Sequence, residues 1–274
     1  DMLDIFSFGT VTNSNLFRGN QQIIINSALL HNKAEGTIYA SFDGEFEDEE
    51  SYSLHITTSQ SLVNAGRLQA KRLSISASSL IDIADIYSIN NSGIIFTQDK
   101  FLLSANSLLN SGKIQSEKTA EYVNMSILNN SGAMGVGVSL FIGETSELSH
   151  FTNSGSIISS DALDISSDNL TNSGIISSIN NLNIDSRDLT NTGSMTSNAG
   201  FVINADDISN AGSILSGGDL HLTVVNKLEN LALGEMQAGG SFILTADEVD
   251  NKNNILGSVN VDITAKVSLN NEGI

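Results

Sequence analysis

The sequence predicts an all-β chain wound into a parallel β-helix, a β-solenoid of about 19–20-residue coils with an inward ladder of asparagines. Three observations carry that prediction. A repeat runs along all 274 residues, apolar side chains alternate within each repeat, and the chain contains no proline.

The repeat is clearest as Leu-Thr-Asn-Ser-Gly at 170–174, echoed by Leu-Thr-Asn-Thr-Gly at 189–193 and Ile-Ser-Asn-Ala-Gly at 208–212. Aligned on the asparagine it recurs at Asn13, Asn32, Asn64, Asn91, Asn110, Asn130, Asn153, Asn172, Asn191, Asn210, Asn230, Asn251 and Asn271. Nine of the twelve intervals lie between 19 and 21, so the whole chain is one periodic object. Two columns test the alignment. The residue two before each asparagine is apolar in all thirteen repeats, from Val11 to Leu269. The residue four after it is apolar from Phe17 and Leu68 through Ile176 and Met195 to Ile255; the exceptions Gly36 and Gly234 precede Ile38 and Met236 by two.

Apolar spacing inside a repeat is two, as in Leu163-x-Ile165, Leu182-x-Ile184 and Phe242-x-Leu244. Period two means strands with one buried face, whereas a helix needs three- and four-residue spacing. Each repeat therefore reads as two or three strands of 3–5 residues joined by tight turns. Two residues after the ladder asparagine stands Gly in nine repeats and Asn15 or Asn253 in two more, which suggests a corner with positive φ. One repeat cannot bury its own inner face, so successive repeats must stack. At about 4.8 Å per rung, twelve intervals give a rod of roughly 58 Å. Each inward Leu or Ile contributes about 1.5–3 kcal/mol. A buried, unpaired asparagine would cost about 1–3 kcal/mol, and stacking the amides coil on coil avoids that cost. Absence of proline fits, because every strand donates N–H bonds to its neighbours. Leucine-rich repeats share the asparagine and the period but need an apolar residue where glycine stands here. Disorder from Ser/Asn bias conflicts with the unbroken apolar columns.

Composition bounds the function. Without cysteine there are no disulfides, thiol nucleophiles or cysteine-held zinc. A formal charge of −19 with 12 Lys+Arg argues against nucleic acid and against docking on an anionic membrane. No stretch approaches the ~18 apolar residues of a membrane helix, so no membrane insertion by this segment is expected. The chain opens at Asp1 without an initiator Met and closes on Gly273 and Ile274 as if another repeat followed. Residues 1–274 thus read as a single β-helix repeat segment of a longer chain.

The motif Leu-x-Ile-x-(Ala/Ser)-x-x-Leu-x-Asn-x-Gly-x-Ile, seen at 163–176, 182–195 and 201–214, resembles the haemagglutinin repeat of filamentous-haemagglutinin-like exoproteins. These are large two-partner-secreted proteins of Gram-negative bacteria, including adhesins and contact-dependent growth-inhibition proteins. The resemblance implies a right-handed β-helix, export through an outer-membrane partner transporter, and a place outside the cell or on its outer surface. It also implies adhesive or toxic elements held away from that surface. The family's amino-terminal secretion domain carries Asn-Pro motifs, which a proline-free chain lacks. No toxin-like module stands at the carboxyl end, so the resemblance implies a middle piece of the shaft.

Departures from the repeat are where a rod acquires function. The largest is the 32-residue interval between Asn32 and Asn64, with an acidic lateral insertion at 42–52. It holds Asp43, Glu45, Glu47, Asp48, Glu49 and Glu50 among Phe42, Phe46 and Tyr52. Three readings are open: contact with a target-cell receptor or glycan, a calcium site built on alternate carboxylates, or a solvated loop that blocks lateral strand aggregation. The 27-residue interval from Asn64 to Asn91 adds a second expansion. Around 133–146, the run Gly135-Val136-Gly137-Val138 through Gly143 reads as an irregular Gly-rich bulge or hairpin.

For catalysis, His31, His55, His150 and His221 share no repeat position, and no Gly-x-Ser-x-Gly elbow exists. Asp161, Asp164, Asp168, Asp185, Asp188, Asp206 and Asp207 fall in adjacent coils, the arrangement that polysaccharide-cleaving β-helices use. The expectation is a non-enzymatic segment without cofactor or metal, with a polysaccharide lyase or hydrolase, or an inert shaft, as alternatives.

Overall fold

The structure, a computed structural model, describes residues 2–42, 51–77, 87–143 and 148–273. Among them there is no helix. The chain falls into two compact units, Asp1–Val138 and Ser139–Ile274. Each is a stack of parallel coils.

In the second unit a coil consists of one long strand, one short strand and the turns between. Leu163–Asn172, Leu182–Asn191 and Phe201–Asn210 are followed by Ile175–Ser178, Ser194–Ser197 and Ser213–Ser216. Register from coil to coil is direct: Leu163 lies beside Leu182 and Leu182 beside Phe201, while Asn172, Asn191 and Asn210 line up at the strand ends. The inward rows are thus the apolar columns of the sequence, and Leu163, Leu182, Phe201, Leu220 and Phe242 are fully buried. The first unit repeats the plan, with short strands Leu16–Gly19, Thr37–Ala40, Arg67–Ala70, Ile94–Thr97, Lys113–Ser116 and Ala133–Val136 in parallel register.

Strands are longer than the sequence suggests. Leu163–Asn172 has 10 residues and Asn260–Asn271 has 12. A corner passes through the long strand without breaking its pairing: Asp168 and Asn169 are both unburied in succession, which shifts the inward phase by one residue. Parallel bonding continues across it, with Ser167 beside Ser186 and Asn169 beside Asp188. In the first unit the same corner does split strands, as between Thr119–Val123 and Ile127–Asn130, where Asn124 takes a left-handed φ of 53°. Irregular intervals are absorbed at corners. The two extra residues at 33–36 and 231–234 close small turns, Gly36 N donating to Lys33 O and Gly234 N to Leu231 O, each at 2.8 Å. Ile38 then falls beside Phe17 and Leu68, and Met236 beside Ile214 and Ile255, which resolves the two exceptions in the apolar column.

The corner glycines correct the expectation of positive φ. Among the described residues the only glycine with positive φ is Gly143. The reason for glycine at the corner is close approach instead. A Cβ on Gly93 would strike the carbonyl oxygen of Gly66, one on Gly112 that of Gly93, and one on Gly193 that of Gly174. These corners stack backbone on backbone, and a side chain at Gly93, Gly112 or Gly193 would collide with the coil before it.

In the Gly-rich run at 133–146, the residues up to Gly143 are described, and two stretches of it pair as coil strands. Ala133–Val136 lies in register with Lys113–Ser116, and Leu140–Ile142 pairs in parallel with Leu163–Ile165. Gly135 faces open space, so it is a side chain missing from an outward position and not a break in the coil. The pattern departs at Gly143, whose φ is +83°, and the next four residues lie outside the described set.

Candidate functional site

The asparagine ladder is the most regular polar feature of both units. In the first, each side-chain amide donates to the oxygen of the next: Asn13 to Asn32 at 2.8 Å, Asn32 to Asn64 at 2.7 Å, Asn64 to Asn91 at 2.7 Å, Asn91 to Asn110 at 2.8 Å and Asn110 to Asn130 at 2.7 Å. In the second, Asn153, Asn172, Asn191, Asn210, Asn230 and Asn251 each donate to the following member, ending at Asn271, over 2.6–2.9 Å. The second amide hydrogen reaches backbone, as from Asn153 to Ile175 O at 3.0 Å and from Asn191 to Ser213 O at 3.2 Å. Burial is complete at Asn32, Asn64, Asn153, Asn172, Asn191 and Asn210, and every one of these polar groups is bonded. A buried amide with its partners in place adds direction to an apolar stack that slippage would otherwise cost little.

Two further ladders escaped the sequence reading. Six residues after the ladder asparagine, Ser159, Ser178, Ser197 and Ser216 are buried at the opposite end of the short strand. Ser197 and Ser216 donate to the carbonyls of Gly200 and Asp219, each at 2.8 Å, closing that corner. A column of small hydroxyl residues at that offset was the available signal. The other ladder is on the surface and pairs an aspartate with the asparagine one coil on. Asn183 donates to Asp164, Asn180 to Asp161, Asn204 to Asp185 at 2.7 Å and Asn226 to Asp207 at 3.1 Å.

That second ladder explains four of the seven aspartates behind the hydrolase alternative: Asp161, Asp164, Asp185 and Asp207 each accept an intercoil amide. Asp188 lies 3.4 Å from the Arg187 guanidinium. Asp168 is exposed beside its corner. Asp185 and Asp206 line one shallow, open depression with Asn204 and Thr223. The histidines do not converge: His31 neighbours Thr12 and Val63, His55 neighbours Ile24 and Ser74, His150 neighbours Asn169, and His221 neighbours Val202 and Ile243. Among the described residues no three His, Asp or Glu side chains come together as a metal site.

Of the 42–52 insertion, only its edges are described; Asp43, Glu45, Phe46, Glu47, Asp48, Glu49 and Glu50 lie outside the described residues. Phe42 sits under the Lys71 ammonium, 5.6 Å from ring centre to Nζ. The Tyr52 carbonyl accepts from Gln22 Nε2 at 3.1 Å, and its ring lies 6.5 Å from that of His55. Burial lowers the pKa of His55, which favours the neutral ring beside Thr57 Oγ1 at 3.1 Å. Both ends of the insertion are therefore anchored on the first unit.

Charge pairs knit outward rows as well. Asp99 lies 3.0 Å from Arg72 Nε and 2.9 Å from Lys118 Nζ, one coil to either side. Burial raises the Asp99 pKa, but the hydrogen bonds from Lys118 and Arg72 outweigh it and hold the carboxyl below its ordinary value.

These features define a parallel β-solenoid whose polar side chains are organised mainly by coil-to-coil pairing. No family model, curated protein or solved structure matches the chain.

Proposed function

We propose that this chain is a repeat shaft of a bacterial exoprotein. It extends from the outer surface of a Gram-negative cell and displays adhesive or growth-inhibiting elements. The observation that supports this best is the assignment of the polar inventory to the coil itself: the buried asparagines and serines and most of the clustered aspartates bond between coils or close corners. Such a chain is suited to holding shape over length, and its repeat resembles the shaft of two-partner-secreted proteins. On this reading an outer-membrane transporter exports it unfolded, and coils add one on another outside. The 42–52 segment, anchored at Phe42 and Tyr52, then serves as a receptor contact. The segment itself needs no cofactor and performs no catalysis.

Protease shaving and fractionation of the native bacterium test the location. The chain is expected in the medium or in the protease-sensitive surface fraction; retention inside the cell overturns the reading. Binding of the purified chain to bacterial and epithelial cells, beside a folded variant with 43–50 replaced by a Gly/Ser linker, tests the contact. Saturable binding lost with the segment supports it, and equal binding by both removes 42–52 from the account.

A further inference from the structure

The short-strand sheet of the first unit carries a second pattern on its outer side. Thr37, Arg67, Ile94 and Lys113 form one outward row in parallel register, and Tyr39, Gln69, Phe96 and Gln115 form the row beside it. Read rung by rung, the face alternates. Thr37 with Tyr39 is an aromatic rung, Arg67 with Gln69 a cation-and-amide rung, Ile94 with Phe96 aromatic again, and Lys113 with Gln115 cation-and-amide again.

The outward positions of these strands carry charge opposite in sign to that of the protein. The chain as a whole carries −19. Yet no carboxylate occupies an outward position on these four strands or on the flanking strands Leu16–Gly19 and Ala133–Val136. Arg18 adds a third cation, its guanidinium 5.9 Å from the centre of the Tyr39 ring. Nearby cations are neutralised, since Arg72, Lys100 and Lys118 each pair with a carboxylate. Arg67 and Lys113 have no such partner among the described residues. Arg67 Nε instead donates to Gln69 Oε1 at 2.8 Å, which lays the guanidinium across its own rung. The coil does not require this composition: equivalent rungs of the second unit include Ile175 with Ser177, Ser194 with Thr196, Ser213 with Leu215 and Glu235 with Gln237.

Each element has a counterpart in a carbohydrate. Sugar rings place their C–H faces on aromatic rings. Amides bond to hydroxyls, and guanidinium and ammonium groups bond to carboxylates. Like rungs recur every second coil, about 9–10 Å apart, close to the length of one extended disaccharide. We propose that this face binds a linear glycan in which a neutral sugar alternates with a uronate. The neutral rings lie over Tyr39 and Phe96, and the carboxylates meet Arg67 and Lys113. A single-stranded nucleic acid also stacks on aromatic rings, but it carries a phosphate at every unit, and the Ile94–Phe96 rung itself holds no cation. The proposal rests on the face itself and does not depend on the shaft reading.

Calorimetric titration of the full chain with a hyaluronan decasaccharide tests it, beside neutral chitohexaose and a poly-dT oligonucleotide. Saturable hyaluronan binding is expected, at least tenfold tighter than either control. Phe96→Ala should weaken it at least tenfold for both glycans. Lys113→Gln should weaken hyaluronan selectively and leave chitohexaose within twofold. Thr196→Ala, on the equivalent face of the second unit, should change nothing, and circular dichroism confirms that each variant is folded. Absence of saturable binding by the folded parent, tighter binding of the oligonucleotide, or undiminished binding by Phe96→Ala overturns the proposal. A surface-exposed chain that ignores every glycan would overturn this inference and leave the shaft reading standing.

Discussion

Replacing Asn191 by alanine probes the internal ladder where it is most regular. The Asn191 amide donates to Asn210 Oδ1 at 2.9 Å and to Ser213 O at 3.2 Å, and its own oxygen accepts from Asn172 at 2.9 Å. Truncation strands two neighbours. Asn172 keeps its bonds to Gly174 O at 3.2 Å and Ser194 O at 3.3 Å, and Asn210 Oδ1 keeps Gly212 N at 3.3 Å. Each loses its shortest partner. A buried polar group without its bond costs about 1–3 kcal/mol, and partial compensation places the sum at about 2–4 kcal/mol. Asn204→Ala is the control, because it removes the same kind of intercoil amide bond, to Asp185 at 2.7 Å, from an exposed position. Its cost should stay within about 0.5 kcal/mol. Urea unfolding followed by far-ultraviolet circular dichroism measures both. Amide exchange at Gly193 and Ser213, which bond to Asn172 O at 3.1 Å and Gly193 O at 2.9 Å, locates the loss. Equal effects of the two substitutions would refute the view that the buried ladder holds the coils together.

Three other outcomes follow from the same structure. Gly193→Ala drives a Cβ into the Gly174 carbonyl and should cost more than about 1–3 kcal/mol of overpacking, whereas Gly135→Ala, with open space around it, should be neutral to slightly stabilising; thermal melts compare them. Tyr122 is fully buried with no partner for its hydroxyl among the described residues, and burial pushes its pKa far up, so Tyr122→Phe should leave stability unchanged or raise it by up to about 1 kcal/mol in urea unfolding. Because the folded pKa of Asp99 is depressed below 3.8, its contribution is present above that pH and is lost as pH falls through the lower, folded value. Asp99→Asn should therefore flatten the acid limb of a stability–pH profile measured from pH about 5 to 2, and an unchanged limb would remove Asp99 from the account.

The sequence carried the fold further than the surface. Its inward columns, Leu163 to Phe242 and Asn153 to Asn251, appear in space as adjacent rows, because a side chain buried in every coil must recur in every repeat. Corner geometry was less legible. Glycine serves both positive φ and close approach, and one sequence cannot separate them; Gly193 turned out to answer to the carbonyl of Gly174. Strand length was misjudged for a related reason. The shift at Asp168 and Asn169 looks like a turn in sequence, yet backbone pairing runs through it. The clustered aspartates looked like chemistry because an aspartate and the asparagine that binds it are 19 residues apart, as with Asp164 and Asn183, and belong to different repeats. The outward rungs of the first unit were invisible for the same reason. Tyr39, Gln69 and Phe96 become neighbours only when coils stack in register.

That stacking is the central claim, and spin-label distances measure it directly. Thr152, Ser209, Glu229 and Asn270 belong to one outward row of the second unit, linked through Thr171, Thr190 and Asp250. The chain has no native cysteine, so pairs of cysteines introduced there can be labelled cleanly. From Thr152 to Ser209, Glu229 and Asn270 there are three, four and six rungs, predicting backbone separations of about 14, 19 and 29 Å. Pulsed electron resonance distances that rise by one rung spacing per repeat would bear out parallel coils in register. Distances that fail to rise with the number of repeats, or that scatter broadly, would contradict them.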